Sequence, residues 1–191
     1  MAKRVFIIHG WEGNPRNHWF PWLKKELEKR HFKVRALRMP NPQWPRINEW
    51  VAAIAAAVKK PDKDTYFIGH SMGGPAILRY LERRNEQAGG VILVGSWLTL
   101  TPMATRTKEE KAIVRPWIKT PLDLNKVKKN ARRITAFFAD NDPWVPLTNA
   151  NVFRQKLGAK IITQKGKGHF TKDDGVTKLP AALTEFLKMA R

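Results

Sequence analysis

The sequence predicts an open α/β fold, a single domain on a mostly parallel sheet of about six strands with helices on both faces. Short β-branched or aromatic runs alternate with amphipathic stretches from one end of the chain to the other. The short runs read as continuous apolar runs more than as polar/apolar alternation, which suits strands buried on both faces of a parallel sheet. The 191 residues, 42% of them apolar, make one ordinary globular domain with material for a sizeable core.

Strands are expected at 4–8, 33–37, 65–69, 91–95, 134–139 and 160–163. Between the first two, Trp19, Trp22, Leu23 and Leu27 recur at helical spacing. Before the third, Ile47, Trp50, Val51, Ile54 and Val58 mark one face of a longer helix. Ala76, Ile77, Tyr80 and Leu81 follow the third strand, and Leu179, Ala182, Leu183, Phe186 and Leu187 close the chain in the same pattern. These stripes read as faces turned to the core. Lys24, Lys25, Lys29, Arg30, Arg79, Arg83 and Arg84 fall on the opposite, solvated faces. Residues 97–130 break the rhythm: too long for one crossover helix, too apolar for a disordered loop. The stretch reads either as a small cap or lid over a site, or as an irregular crossover packed on the sheet.

Composition removes several classes. The chain has no cysteine, which excludes disulfides, thiolate zinc sites and a thiol nucleophile. No apolar run approaches the roughly 18–20 residues of a membrane span. Val5-Phe6-Ile7-Ile8 is too short for the apolar core of a signal peptide, so a cytoplasmic protein with no membrane partner is expected. The 36 basic and 16 acidic residues give a net charge of +20. The excess is spread along the chain, +9 up to residue 95 and +11 beyond it, with no basic tail. That pattern reads as a solvated basic surface, with binding of nucleic acid or another acidic partner as the less favoured alternative.

The sharpest motif is Gly69-His70-Ser71-Met72-Gly73-Gly74, a G-x-S-x-G between an expected strand and an expected helix. A serine on so tight a turn is strained, and side chains two residues away on either side would strike the strand or helix. Gly69 and Gly73 meet that need. The turn lifts the Ser71 hydroxyl above the sheet and puts the Met72 N–H at a helix N-terminus, where it and the dipole stabilise an oxyanion. In this architecture the acid and then the histidine follow the serine. Of five histidines only His169 follows Ser71, in the loop Gly166-Lys167-Gly168-His169-Phe170 just after the last expected strand, and it is the candidate general base. The acid is expected after the strand at 134–139. Asp142, followed by Val145-Pro146, is preferred, and Asp140 is the alternative as either acid or turn residue. Asp173 and Asp174 read as solvated or capping. A second oxyanion donor is expected in His9-Gly10-Trp11, with the Trp11 N–H preferred. Trp97, Trp117 and Trp144 are candidates to line a substrate pocket, or are ordinary packing. The histidines lack metal-ligand spacing, so no metal is expected.

These stretches, with Val5-Phe6-Ile7-Ile8-His9-Gly10, Asn17-His18-Trp19-Phe20-Pro21-Trp22, Met39-Pro40-Asn41-Pro42 and Gly168-His169-Phe170, make the chain resemble a known family over nearly its whole length. It is the small α/β-hydrolase serine hydrolase family of YdeN and the retinoblastoma-binding serine hydrolase. The resemblance implies a compact α/β-hydrolase fold, a Ser71-His169-Asp142 triad, esterase-like activity on small substrates and no cofactor. Residues 97–130 depart from the family pattern, so no substrate preference carries over. The expected activity is that of a carboxylesterase whose partner is a small-molecule acyl ester. The rival is a non-catalytic hydrolase-fold binding module that docks an acidic partner or nucleic acid on its basic surface.

Overall fold

The computed structural model describes residues 3–191. Among these residues six strands form one fully parallel sheet: β1 (Arg4–Ile8), β2 (Lys33–Leu37), β3 (Thr65–His70), β4 (Gly90–Val94), β5 (Ile134–Ala139) and β6 (Lys160–Gln164), in the order β2-β1-β3-β4-β5-β6. The expected strands match to within a residue at either end. β4 starts and ends one residue early because Gly95, at φ +52°, turns the chain out of the sheet.

Among the described residues seven α-helices cover the sheet: α1 (Phe20–Glu28), α2 (Ile47–Val58), α3 (Gly73–Glu82), α4 (Lys108–Lys119), α5 (Leu124–Lys129), α6 (Thr148–Leu157) and α7 (Pro180–Met189). Their placement follows from crossover handedness. The chain steps one way from β1 to β2 and the opposite way from β2 onward, so right-handed connections put α1 on one face and α2, α3, α5 and α6 on the other. α7 returns to the face of α1. Alternate strand residues divide accordingly. Phe6, Ile8, Phe67, Leu93, Ala136 and Phe138 pack with Trp50, Ile54, Tyr80 and Phe153. Val5, Ile7, Ile68, Ile92, Val94 and Phe137 pack with Phe20, Leu23, Leu27 and Phe186. Both faces are apolar, which explains the continuous apolar runs.

Residues 97–130 divide between the two readings. A 3-10 turn (Pro102–Ala104) and the start of α4 border a cavity above the sheet, whereas α5 packs its Val127 into the core between α3 and α6 as an ordinary crossover helix. α4 opens on a capping box, Thr107-x-x-Glu110, a readable start signal that apolar periodicity alone passes over. Its C-terminus is held by Arg79, which is buried rather than on a solvated face. The guanidinium donates to the carbonyls of Trp117 (2.9 Å), Thr120 (2.8 Å) and Pro121 (3.2 Å), tying α4 to α3. α6 carries a readable stripe too, with Ala150, Phe153 and Leu157 buried.

Among the described residues no helix is long and apolar enough to cross a membrane.

Candidate active site

Because all six strands are parallel, the loops after β1, β3, β5 and β6 leave the sheet at one edge. The strand order reverses between β1 and β3, and the carboxyl ends flanking such a reversal leave a crevice. Trp11 and Ser71 sit in those two loops.

Ser71 lies on the sharp turn joining β3 to α3, at φ +50°. Its N–H is fixed to the Val94 carbonyl (2.9 Å), and its carbonyl accepts from Gly74 N (3.0 Å). The turn presses α3 against β1: a Cβ on Gly73 would stand 2.3 Å from the Ile8 carbonyl oxygen and 2.8 Å from that of His9. Gly10 abuts the serine from the other side, where a Cβ would lie 2.9 Å from Ser71 Cβ. This approach brings the β1 loop beside the serine. Neither the Trp11 nor the Met72 backbone N–H has a hydrogen-bond acceptor among the described residues, although both residues line the cavity that holds Ser71.

His169 lines the same cavity. Its Nδ1 donates to Asp142 Oδ2 at 2.8 Å, and both side chains are almost wholly buried. The other carboxylate oxygen, Oδ1, accepts from Trp144 N (2.9 Å) and Val145 N (3.1 Å), so loop amides clamp the carboxylate. With Nδ1 committed, Nε2 presents a lone pair. The Ser71 hydroxyl makes no hydrogen bond among the described residues. Asp140 does not reach the histidine; it is exposed, and its Oδ1 accepts from Gly166 N at 2.8 Å. Asp174 caps the His169 loop, its Oδ2 accepting from His169 N, Thr171 N and the Thr171 hydroxyl.

Three other histidines hold this assembly in place. His9 accepts from Met39 N at Nε2 (3.0 Å), so its Nδ1 carries the proton and donates to the Gly10 carbonyl (2.7 Å), fixing the loop that presents Trp11 N–H. His70, beside the serine, reaches the His169 carbonyl from Nε2 (2.8 Å), tying the Ser71 turn to the histidine loop. His18 Nδ1 accepts from Lys172 N (3.0 Å), and the Trp19 indole donates to the Phe170 carbonyl (3.2 Å). Neither helical stripes nor the order of serine, acid and histidine marks these residues. The signal present in the sequence is a polar ring at the end of an apolar run, as in Ile7-Ile8-His9 and Phe67-Ile68-Gly69-His70.

Burial holds the imidazoles of His9 and His18 below their ordinary value of 6.5, and pushes His70, which also faces His169 and His18, well below it. The unfolded chain takes up protons on these rings near pH 6.5 while the folded chain does not. The stability they contribute is therefore complete above pH 6.5 and is lost as pH falls toward their folded values. Thermal melts from pH 8 to pH 5 should show the midpoint falling below about pH 6.5, before carboxylates titrate. A flat profile over that range would contradict the buried neutral rings.

The tryptophans separate. Trp97 and Trp144 line the cavity, and the Trp144 ring stands edge-on to His169 at 4.7 Å between centroids. Trp117 does not reach it. One turn beyond Ile113 and Val114 on α4, it packs against Trp50 (5.8 Å between centroids) and gives its indole N–H to the Pro45 carbonyl, which makes it a core residue. Trp11 and Trp44 also face the cavity, whose volume is about 830 Å³. Among the described residues no group of three or more His, Cys, Asp or Glu side chains is placed to hold a metal ion.

A serine on a strained turn, two amides without acceptors and a carboxylate-bound histidine thus meet at one edge of a parallel sheet, and sequence comparison identifies the family. The serine hydrolase family model matches residues 5–188. The chain belongs to the serine hydrolase family. This serine hydrolase is 34% identical over 182 residues to YdeN of Bacillus subtilis, spanning 94% of this chain and 92% of YdeN. The crystal structure of the ydeN gene product superposes with a TM-score of 0.90 over 98% of both chains. Serine hydrolase RBBP9 of Rattus norvegicus is 28% identical over 171 residues, 88% of this chain and 87% of that one. A carboxylesterase structure from Nitrososphaera gargenis shares the fold at a TM-score of 0.74, with 13% identity over 99% of this chain and 91% of the other. This serine hydrolase is thus an enzyme of α/β-hydrolase architecture.

Proposed function

We propose that this enzyme is a carboxylesterase acting on small acyl esters through Ser71, His169 and Asp142. The observation that carries the reading is the Asp142–His169 hydrogen bond, in the cavity that also holds Ser71 on its strained turn. His169 Nε2 takes the hydroxyl proton as Ser71 Oγ bonds to the ester carbonyl carbon. Asp142 fixes the tautomer that makes Nε2 the base and stabilises the imidazolium that forms. The oxyanion is held by the N–H groups of Trp11 and Met72, the latter at the N-terminus of α3. The imidazolium then protonates the departing alkoxide, leaving an acyl-serine. Water, deprotonated by the same histidine, releases the acid and restores Ser71. The stretch from Leu100 to Val114 serves as a cap over the acyl group.

Fluorophosphonate labelling followed by intact mass tests this reading. One adduct, mapped to Ser71, is expected; folded protein that takes up no reagent would refute an activated serine.

A further inference from the structure

The charge of the cavity runs against that of the molecule. In a chain of net charge +20, the cavity around Ser71 is lined by four carboxylates, Glu12, Glu109, Glu110 and Asp173, against one guanidinium, Arg106. Elsewhere several acidic side chains are matched with cations, Glu26 with Lys29 and Arg30, Glu28 with Lys24, Asp62 with Arg4, Glu185 with Lys160 and Lys188, and Glu82, Asp123, Asp140 and Asp174 accept from backbone N–H groups. Glu110 is used by the capping box of α4. Glu12, Glu109 and Asp173 have neither an ion pair nor a side-chain hydrogen bond among the described residues, although basic side chains outnumber acidic ones more than two to one.

The second observation is aromatic. Trp11, Trp44, Trp97 and Trp144 line the same cavity, and Trp44 and Trp144 are exposed at 42% and 40%. Indole faces attract organic cations through their quadrupole, and a box of aromatic rings rimmed by carboxylates is a recurring way to bind an alkylated ammonium group. A hydrated inorganic ion gains little from such walls, and an acidic substrate would be repelled by the rim. The chemistry shared by carboxylates without cations and the open faces of Trp44 and Trp144 is that of an amine-bearing ester.

We propose that the substrate of this enzyme carries an organic cation, a protonated or quaternary amine, held between these tryptophans and the carboxylates of Glu12, Glu109 and Asp173. The proposal rests on the reading of Ser71 as nucleophile for turnover, but not for binding. The cation can sit on the acyl side or on the alcohol side of the ester, and matched substrates distinguish the two. A choline ester is compared with its 3,3-dimethylbutyl isostere, and leucine methyl ester with methyl 4-methylpentanoate. The readout is the kcat/KM ratio of cation to isostere in the wild type and in a Glu12→Gln, Glu109→Gln, Asp173→Asn triple variant; dividing the two cancels intrinsic ester reactivity. For one of the pairs the ratio should fall on the order of tenfold in the variant, and the wild-type ratio should shrink as salt is raised. Ratios unchanged in both pairs would overturn the proposal. Binding of the same four esters to the Ser71→Ala protein, followed by calorimetry, separates the two readings. Tighter binding of one cation over its isostere, lost in the triple variant, supports the cation site even if Ser71 takes up no fluorophosphonate. Equal binding within both pairs overturns it even if Ser71 is the nucleophile.

Discussion

Replacing Ser71 by alanine should lower kcat for ester hydrolysis by roughly 10⁵–10⁶-fold while leaving the fold and the cavity in place. The side chain is only half-buried and makes no hydrogen bond among the described residues, so little stability depends on it; alanine also relieves no backbone constraint, because the turn at φ +50° is set by its neighbours. Asp142→Asn should cost less, about 10⁴-fold, since an amide at 2.8 Å from Nδ1 favours the tautomer with the proton on Nε2. Asp142→Asn and His169→Ala together should cost about as much as His169→Ala alone, because the two act as one unit. Steady-state kinetics on a p-nitrophenyl ester series measures all three. A Ser71→Ala enzyme that keeps a tenth of wild-type kcat would move the nucleophile elsewhere.

The largest effect on stability is expected at Gly73. An added Cβ would lie 2.3 Å from the Ile8 carbonyl oxygen and 2.9 Å from its carbon, both backbone atoms at the end of β1. No rotamer change relieves a clash between one backbone and another, so α3 or the end of β1 must shift. Gly73→Ala should therefore destabilise the protein by about 3–5 kcal/mol, at the upper end for a single substitution. The surviving folded fraction should lose activity as well. Any shift at this point moves Met72 N–H and the β1 loop bearing Trp11 N–H away from each other, and an oxyanion donor misplaced by about 1 Å costs roughly 10²-fold. Denaturant unfolding and kcat at a temperature well below the midpoint report the two effects separately. A variant with wild-type stability would mean that the helix does not press on β1 as closely as these distances require.

Local rules make much of the fold readable. The strand runs at 4–8 and 134–139 agree with the structure because strands buried on both faces leave little choice but apolar residues, while β2 at the sheet edge keeps Lys33 and Arg35 exposed and still shows its apolar Val34 and Leu37. The Ser71 turn is equally legible, since its geometry forces small residues at fixed offsets from the serine. His169 follows from elimination and order. Asp142 can be preferred over Asp140 but not separated from it, because two aspartates two residues apart in one loop differ only in where the loop points them. Trp117 shows the limit of spacing: it shares the face of α4 with Ile113, yet the helix axis carries it one turn past the cavity and onto Trp50. Arg79 shows another. Spacing puts it on a solvated face, but the end of α4 supplies three carbonyls for its guanidinium and buries it.

The sequence by itself determined the sheet, its parallel sense, the serine turn and the family, because each depends on contacts within a few residues or on a repeating pattern. Tertiary structure alone decided which aspartate meets His169, that His9 and His70 lock the loops on either side of the serine, and that uncompensated carboxylates gather around the cavity of a strongly basic protein. Those are contacts between residues far apart in the chain, such as His70 with His169, 99 positions apart, and no local propensity encodes them. They exist because parallel strands deliver all their carboxyl-end loops to one edge, where side chains distant in sequence become neighbours.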